Sequence, residues 1–261
     1  MFKYMRNLYS NVIGNGDRNL IVLHGFLGMG NNWKSHALNW AKSGFKVHLI
    51  DQRNHGRSFW NENFDYKVLS KDLFFYLESL KISKTIILGH SMGGKTAMQF
   101  ALNYNDRVDK LIIVDISPRE YPSKHKKILE GLYKLNLKKI ETRKESDVFL
   151  SNYVKDFKMR RFLLKNLYWN SSNKLALRLN INVLINKSEA VAKEIYINKQ
   201  ITTSTLFLKG EFSDYISNDD IRLIETKFGS FKIQEISSSG HWLHVENPIN
   251  FMDITSSFLK S

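Results

Sequence analysis

The chain reads as an α/β protein: a mostly parallel sheet of about eight strands, flanked by helices and interrupted by a helical insertion. Three observations predict this. Short, continuous apolar runs at 20–23, 85–88 and 111–114 alternate with helix-spaced segments, as expected for strands buried on both faces. The alternation stops near Pro118 and resumes near Ser204. Most of the runs open into short loops carrying Gly, His or Asp, at the sheet edge where ligands bind such folds.

The elements follow in order. Residues 4–13 suggest an antiparallel edge strand closed by an Asn15-Gly16 turn. A buried strand spans 20–23, and a helix over 31–44 carries Trp33, Ala37, Trp40 and Ala41 at helical spacing. The next strand covers 46–51, and the helix 70–80 repeats Leu73, Leu77 and Leu80 on one face. A strand at 85–88, a helix at 95–102 and a strand at 111–115 complete the first half. Residues 119–200 hold no clear sheet strand and read as short charged helices, for example over 126–135 and 147–155. A strand at 204–208 ends at Gly210, followed by a helix over 219–228 and a last strand at 231–236. The closing helix, 248–259, is opened by Asn247 with Pro248 in its first turn. The organisation is one core, 1–118 with 201–261, and a helical lid at 119–200.

With 261 residues there is chain enough for a sizeable core. No cysteine is present, which excludes disulfides, cysteine–zinc sites and a cysteine nucleophile. The start, Met1-Phe2-Lys3-Tyr4-Met5-Arg6, lacks the apolar core of a signal peptide, and no run approaches the ~18–20 apolar residues of a membrane span. A cytoplasmic protein, monomer or homodimer, is expected. The net charge of +14 is concentrated in one place. Residues 119–200 hold 19 Lys and Arg against 8 Asp and Glu. No aromatic–basic RNA motif or zinc finger accompanies them, so a nucleic-acid partner is not expected. A solvated lysine-rich face or a basic cap attracting an anionic substrate accounts for the charge.

Gly89-His90-Ser91-Met92-Gly93 follows the apolar run 85–88 and precedes a helix-forming stretch. That is the G-x-S-x-G nucleophile elbow in its proper strand–turn–helix context. A serine hydroxyl is a weak nucleophile and needs a base. His241, in Gly240-His241-Trp242-Leu243-His244-Val245-Glu246-Asn247-Pro248, lies on the loop after the last strand, the order such enzymes use. His244 is its competitor, better suited to packing. Two aspartates can orient the imidazole: Asp115, at a strand end in Val114-Asp115-Ile116-Ser117-Pro118, and Asp214, in the loop after the penultimate strand. Spacing alone leaves both open. The oxyanion needs two backbone donors, expected from Met92 after the nucleophile and from Phe26 in His24-Gly25-Phe26-Leu27-Gly28-Met29-Gly30. The glycines there match neither phosphate-loop pattern. His55, in Asp51-Gln52-Arg53-Asn54-His55-Gly56-Arg57-Ser58, has no partner at ligand spacing and reads as part of a hydrogen-bonded turn. No metal and no organic cofactor are required. Phe162, Leu163, Leu167, Tyr168 and Trp169 of the lid, with Trp242, are candidates to line an acyl pocket; packing the lid onto the core is the alternative.

The set H-G-F-L-G, D-Q-R-N-H-G-R-S, G-H-S-M-G-G-K and G-H-W-L-H-V-E-N-P resembles the α/β-hydrolase superfamily. It is most similar to the YbfF-type bacterial esterases and their mitochondrial abhydrolase relatives. Asn54-His55-Gly56, Lys95, Asp115-Ile116-Ser117-Pro118 and His241-Trp242-Leu243-His244 carry the resemblance to that branch. It covers nearly the whole chain and is weakest over 119–200. The resemblance implies the α/β-hydrolase fold and a serine esterase or thioesterase acting on short to medium acyl chains, with acyl-CoA among the substrates. It implies Ser91 as nucleophile, His241 as base and Asp115 as acid, with Asp214 the alternative. Carbon–carbon bond hydrolysis, a menaquinone-pathway type lyase and perhydrolysis share the same elbow and are the competing chemistries. A non-catalytic scaffold is disfavoured, because serine, histidine and acid are all present.

Overall fold

The computed structural model describes residues 7–123, 125–137 and 141–261. In chain order the elements are β1 (Ser10–Ile13), β2 (Arg18–Leu23), α1 (Lys34–Lys42), β3 (Phe45–Ile50), α2 (Tyr66–Ser79), β4 (Thr85–His90), α3 (Met92–Asn103) and β5 (Val108–Val114). The next seven elements are α4 (Lys126–Leu137), α5 (Arg143–Leu150), α6 (Phe157–Leu164), β6 (Leu167–Trp169), β7 (Leu175–Leu177), α7 (Ile181–Asn186) and α8 (Ser188–Ala192). The chain closes with β8 (Ser204–Gly210), α9 (Asn218–Lys227), β9 (Phe231–Ile236), α10 (Leu243–Glu246) and α11 (Pro248–Lys260).

Seven strands form one sheet in the order β1-β3-β2-β4-β5-β8-β9, one fewer than expected among the described residues. All pairs are parallel except β1 with β3. Alternate strand residues feed two separate cores. Ile21, Leu23, Ile87, Leu111 and Phe207 face one, with Leu69, Leu73 and Leu77 of α2 and Ala97 and Phe100 of α3. Leu20, Val22, Leu88, Ile112 and Leu206 face the other, with Ala37 and Trp40 of α1 and Phe251 and Leu259 of α11. Burial on both faces is why the strands are continuous apolar runs. The chain winds one way from β2 to β3 and the other way from β4 to β5, so a crevice opens at the carboxyl ends of β2 and β4.

Several helix boundaries differ from the periodicity reading, among them the start of α3 at Met92 rather than at residue 95 and the span of α1 over Lys34–Lys42 rather than 31–44. α2 begins at Tyr66, four residues before Ser70, because the Asp65 side chain accepts from Val68 N–H and caps it. The helix expected over 147–155 runs instead over Arg143–Leu150, capped by Thr142. The expected edge strand over 4–13 is β1; its first three residues lie outside the described residues. Between β5 and β8 the described residues form five helices and a small antiparallel hairpin, β6–β7, that pattern reading does not detect in three-residue strands.

The two crossings of that segment run side by side. Tyr121 N–H donates to Ala192 O (2.9 Å) and Ile195 N–H to Pro118 O (2.7 Å). The buried Lys95 ammonium, projecting from α3, donates to the carbonyls of Arg119 (2.8 Å), Ala192 (3.1 Å) and Lys193, holding both crossings at once. Burial lowers the Lys95 pKa to about 7. No helix among the described residues is long and apolar enough to cross a membrane.

Candidate active site

Ser91 stands between β4 and α3 with φ 51° and ψ −115°, a conformation costly for a residue with a side chain. The strain is held by neighbours: Ser91 N–H donates to Val114 O (3.0 Å), and Lys95 N–H donates to Ser91 O (3.1 Å). Close packing beneath the turn demands Gly93, where a Cβ would sit 2.2 Å from Leu23 O. Met92 is the first residue of α3, so its N–H has no acceptor within the helix.

Asp115 follows β5, fully buried and also in left-handed backbone conformation, φ 51°. Its Oδ1 accepts from Gly210 N–H (3.1 Å), and its Oδ2 accepts from the Ser213 hydroxyl and from His241 Nδ1 (2.8 Å). A carboxylate can only accept, so the proton of His241 is on Nδ1 and Nε2 is left as a lone-pair acceptor. Asp214 is exposed on the neighbouring loop; the residue beside it, Ser213, is the one that meets Asp115. Ser91 and His241 line one cavity of about 590 Å³.

The loop after β2 is shaped by two buried neutral histidines. His24 Nδ1–H donates to Gly25 O (2.8 Å), and its Nε2 accepts from Gln52 N–H (3.0 Å). His55 Nδ1–H donates to Arg53 O (2.9 Å), and its Nε2 accepts from Leu27 N–H (3.2 Å). Burial lowers their pKa values to about 4 and about 3, so both accept as neutral rings. Gln52 extends the scaffold, donating to His24 O and accepting from the Thr96 hydroxyl of α3. No acceptor among the described residues takes the Phe26 N–H. Gly25 is needed where the loop passes His90: a Cβ would lie 2.8 Å from His90 Nδ1. His55 thus supports the loop through its backbone bonds and takes no place in the cavity lining.

His90, the residue before Ser91, donates from Nε2 to His241 O (2.9 Å) and fixes the loop carrying that histidine. His244 lies buried against Trp33 and His90. Burial holds the pKa values of both His90 and His244 well below the ordinary value, which keeps them neutral.

Helix α6 forms one cavity wall. Lys158, Met159, Arg161, Phe162 and Lys165 line it, and Phe162 also packs on Trp242, ring centroids 5.4 Å apart. The other lid candidates fall elsewhere. Leu163 points from the opposite face of α6 into the core, and Leu167 is buried on β6. Tyr168 lies under the Arg178 guanidinium (4.1 Å), and Trp169 is exposed. The helical period explains the split, since Leu163 is rotated about 100° from Phe162. Among the lining residues that were not anticipated are His125 before α4 and Tyr215 after β8. The Asn166 amide donates to Leu27 O (2.8 Å) and ties the chain after α6 to the Phe26 loop. A wider open groove of about 840 Å³, between α2, α3 and residues 190–199, contains none of the anticipated residues. Among the described residues, no three His, Asp or Glu side chains gather as metal ligands.

A family model described as alpha/beta hydrolase fold matches residues 18–248. The sn-1-specific diacylglycerol lipase ABHD11 of Danio rerio is 34% identical over 256 residues, covering 95% of this chain and 80% of that one. Esterase YbfF of Escherichia coli is 27% identical over 233 residues, covering 88% of each. A solved structure described as a marine microorganism esterase superposes with a TM-score of 0.93 at 38% identity, covering 97% of this chain and 100% of that one.

Proposed function

The chain belongs to the alpha/beta hydrolase fold family, and from that premise we propose that it is a serine hydrolase of carboxylic esters, working through Ser91, His241 and Asp115. The observation that carries this is the hydrogen bond from His241 Nδ1 to the buried Asp115 carboxylate, which leaves Nε2 free as a base in the cavity that holds Ser91.

His241 Nε2 takes the Ser91 hydroxyl proton as Oγ forms a bond to the acyl carbon. The carbonyl electrons move onto oxygen, where the N–H groups of Phe26 and Met92 stabilise the oxyanion. The intermediate collapses, the alcohol leaves with the proton from Nε2, and Ser91 remains acylated. Water attacks the acyl-enzyme, giving its proton to Nε2, and the acid departs as Ser91 recovers its hydroxyl. Asp115 stays ionised and stabilises the imidazolium. Oxyanion donors of this kind typically supply roughly 3–4 kcal/mol each.

The segment between β5 and β8 serves as a lid, with Phe162 and Met159 against the acyl chain. Names among the relatives, an esterase and a diacylglycerol lipase, favour ester substrates. A specific observation also favours thioesters of an anionic carrier such as coenzyme A. Lys158, Arg161 and Lys165 line the wall of the same cavity, positioned to meet a phosphorylated leaving group.

The test is hydrolysis of p-nitrophenyl esters from acetate to palmitate, and of the matching acyl-CoAs, by the wild type and Ser91→Ala. The expected result is turnover that falls by about 10³-fold or more in Ser91→Ala. Turnover that survives the substitution would overturn the reading.

A further inference from the structure

The imidazole of His241 is covered on one face by the ring of Tyr215. The two centroids are 3.8 Å apart and the planes 16° from parallel. Stacking is this close because Tyr215 is itself anchored. Its carbonyl accepts from the Tyr121 hydroxyl (2.6 Å), which in turn accepts from Ser117 N–H (2.8 Å). The Tyr121 ring stacks on that of Tyr215 at 5.2 Å, and the Arg119 guanidinium lies 3.8 Å from the Tyr121 centroid. Asp220 pairs with Arg119 (2.7 Å) and accepts from Ser117 and Ser217, tying this column to α9.

Resting on the serine-hydrolase reading, we propose that Tyr215 is a positioning residue of the reaction: its ring face holds the His241 imidazole in register with Asp115 and stabilises the imidazolium formed when Ser91 is deprotonated. The chemistry follows from the ring quadrupole, negative on the face, which attracts a cation stacked over it more than a neutral ring. Burial and the carboxylates of Asp214 and Asp115 push the Tyr215 hydroxyl pKa up, so the ring stays neutral.

The other groups around His241 leave this effect readable. Asp115 meets it from the end of β5 and His90 from β4, while His244 of α10 and His125 before α4 line the same cavity. Burial is the main cause lowering the three histidines: His125 to about 4, His90 and His244 well below the ordinary value. They stay neutral where an ordinary histidine titrates, near 6.5. Lys158, Arg161, Lys165 and Glu246 sit on the cavity wall. The acidic limb of kcat/KM therefore reports His241.

The experiment measures kcat/KM for p-nitrophenyl acetate from pH 4.5 to 9 in the wild type, Ser91→Ala, Tyr215→Leu, Tyr215→Phe and a variant carrying pentafluorophenylalanine at position 215. The last keeps the ring's shape while reversing its quadrupole, so it remains informative if Tyr215→Leu does not fold. The expected result is an acidic limb shifted down by about 0.5–1.5 pH units in Tyr215→Leu and the fluorinated variant. The accompanying loss in kcat is roughly 3- to 30-fold, and the limb returns to its wild-type position in Tyr215→Phe. A limb that stays in place across the series, while Ser91→Ala is inactive, would overturn the role of Tyr215 alone. Activity in Ser91→Ala would overturn the underlying reading instead.

Discussion

His244 lies flat on Trp33, ring centroids 4.1 Å apart and planes 9° from parallel. Three residues earlier, His241 faces the cavity. Both histidines of this short motif line the cavity, but His241 donates to Asp115 whereas His244, in α10, is buried against Trp33. His244 Nδ1 is buried without a hydrogen-bond partner, as suits a ring retained for packing.

His244→Ala is expected to remove that stack and leave a cavity between Trp33, His36 and Phe251. Unfolding in denaturant should show a loss of about 2–4 kcal/mol. The acidic limb of the pH–rate profile should remain where it is, because burial keeps His244 neutral over that range.

Asp115→Asn should cost about 10³- to 10⁴-fold in kcat, since an amide can present the wrong tautomer to His241 Nδ1. Asp214→Asn should change kcat by less than about 3-fold, because that side chain is exposed and His241 donates to Asp115. Esterase assays on the pair decide it, and a larger loss in Asp214→Asn would reassign the acid.

Gly25→Ala should push the loop carrying Phe26 away from the cavity, because the new methyl meets His90 at 2.8 Å. Loss of one oxyanion donor implies a fall in kcat of about 10²-fold. The KM for a short ester should move far less, and steady-state kinetics separate the two.

Stability should fall steeply as pH drops below 6.5. His24 and His55 have folded pKa values of about 4 and about 3, below the ordinary 6.5. The unfolded chain therefore takes up these protons first, so the stabilisation is complete above about 6.5 and is lost as pH falls through the folded values. Each ring contributes on the order of 3 kcal/mol, and thermal melts from pH 7 to pH 4 should record the decline. His55→Gln should flatten part of that slope; an unchanged slope would count against the neutral-ring account.

The parallel core was legible in the sequence because its strands are buried on both faces and its helices on one, which imprints period and polarity directly. The turn at Ser91 and the loop at Gly25-Phe26 were legible because strain and close approach restrict which residues can occupy them, and His241 because it follows the last strand in chain order. The choice between Asp115 and Asp214 was not legible: both loops leave the same sheet edge, and the hydrogen bond from His241 Nδ1 to the buried Asp115 is a tertiary contact that spacing does not encode. Tyr215 escaped notice because its role depends on a column from three separated segments, through Tyr121 and Arg119, with no local spacing signal. The lid lining was half legible. Apolar residues 162–164 were visible, but which face of α6 looks into the cavity is set by tertiary packing.

The side-by-side crossings at Pro118–Tyr121 and Ala192–Ile195, pinned together by Lys95, have an evolutionary meaning. The segment between them is also tied to the core through Asn166, which donates to Leu27 O, and through Asn180, which donates to Asn54, but it contributes no strand to the main sheet among the described residues. Lengthening such a loop adds only a logarithmic entropic cost, so the segment is free to diverge in length while the sheet stays intact. A chimera that keeps Lys95, both crossings and Asn166 can therefore carry a relative's other intervening residues on an unchanged sheet.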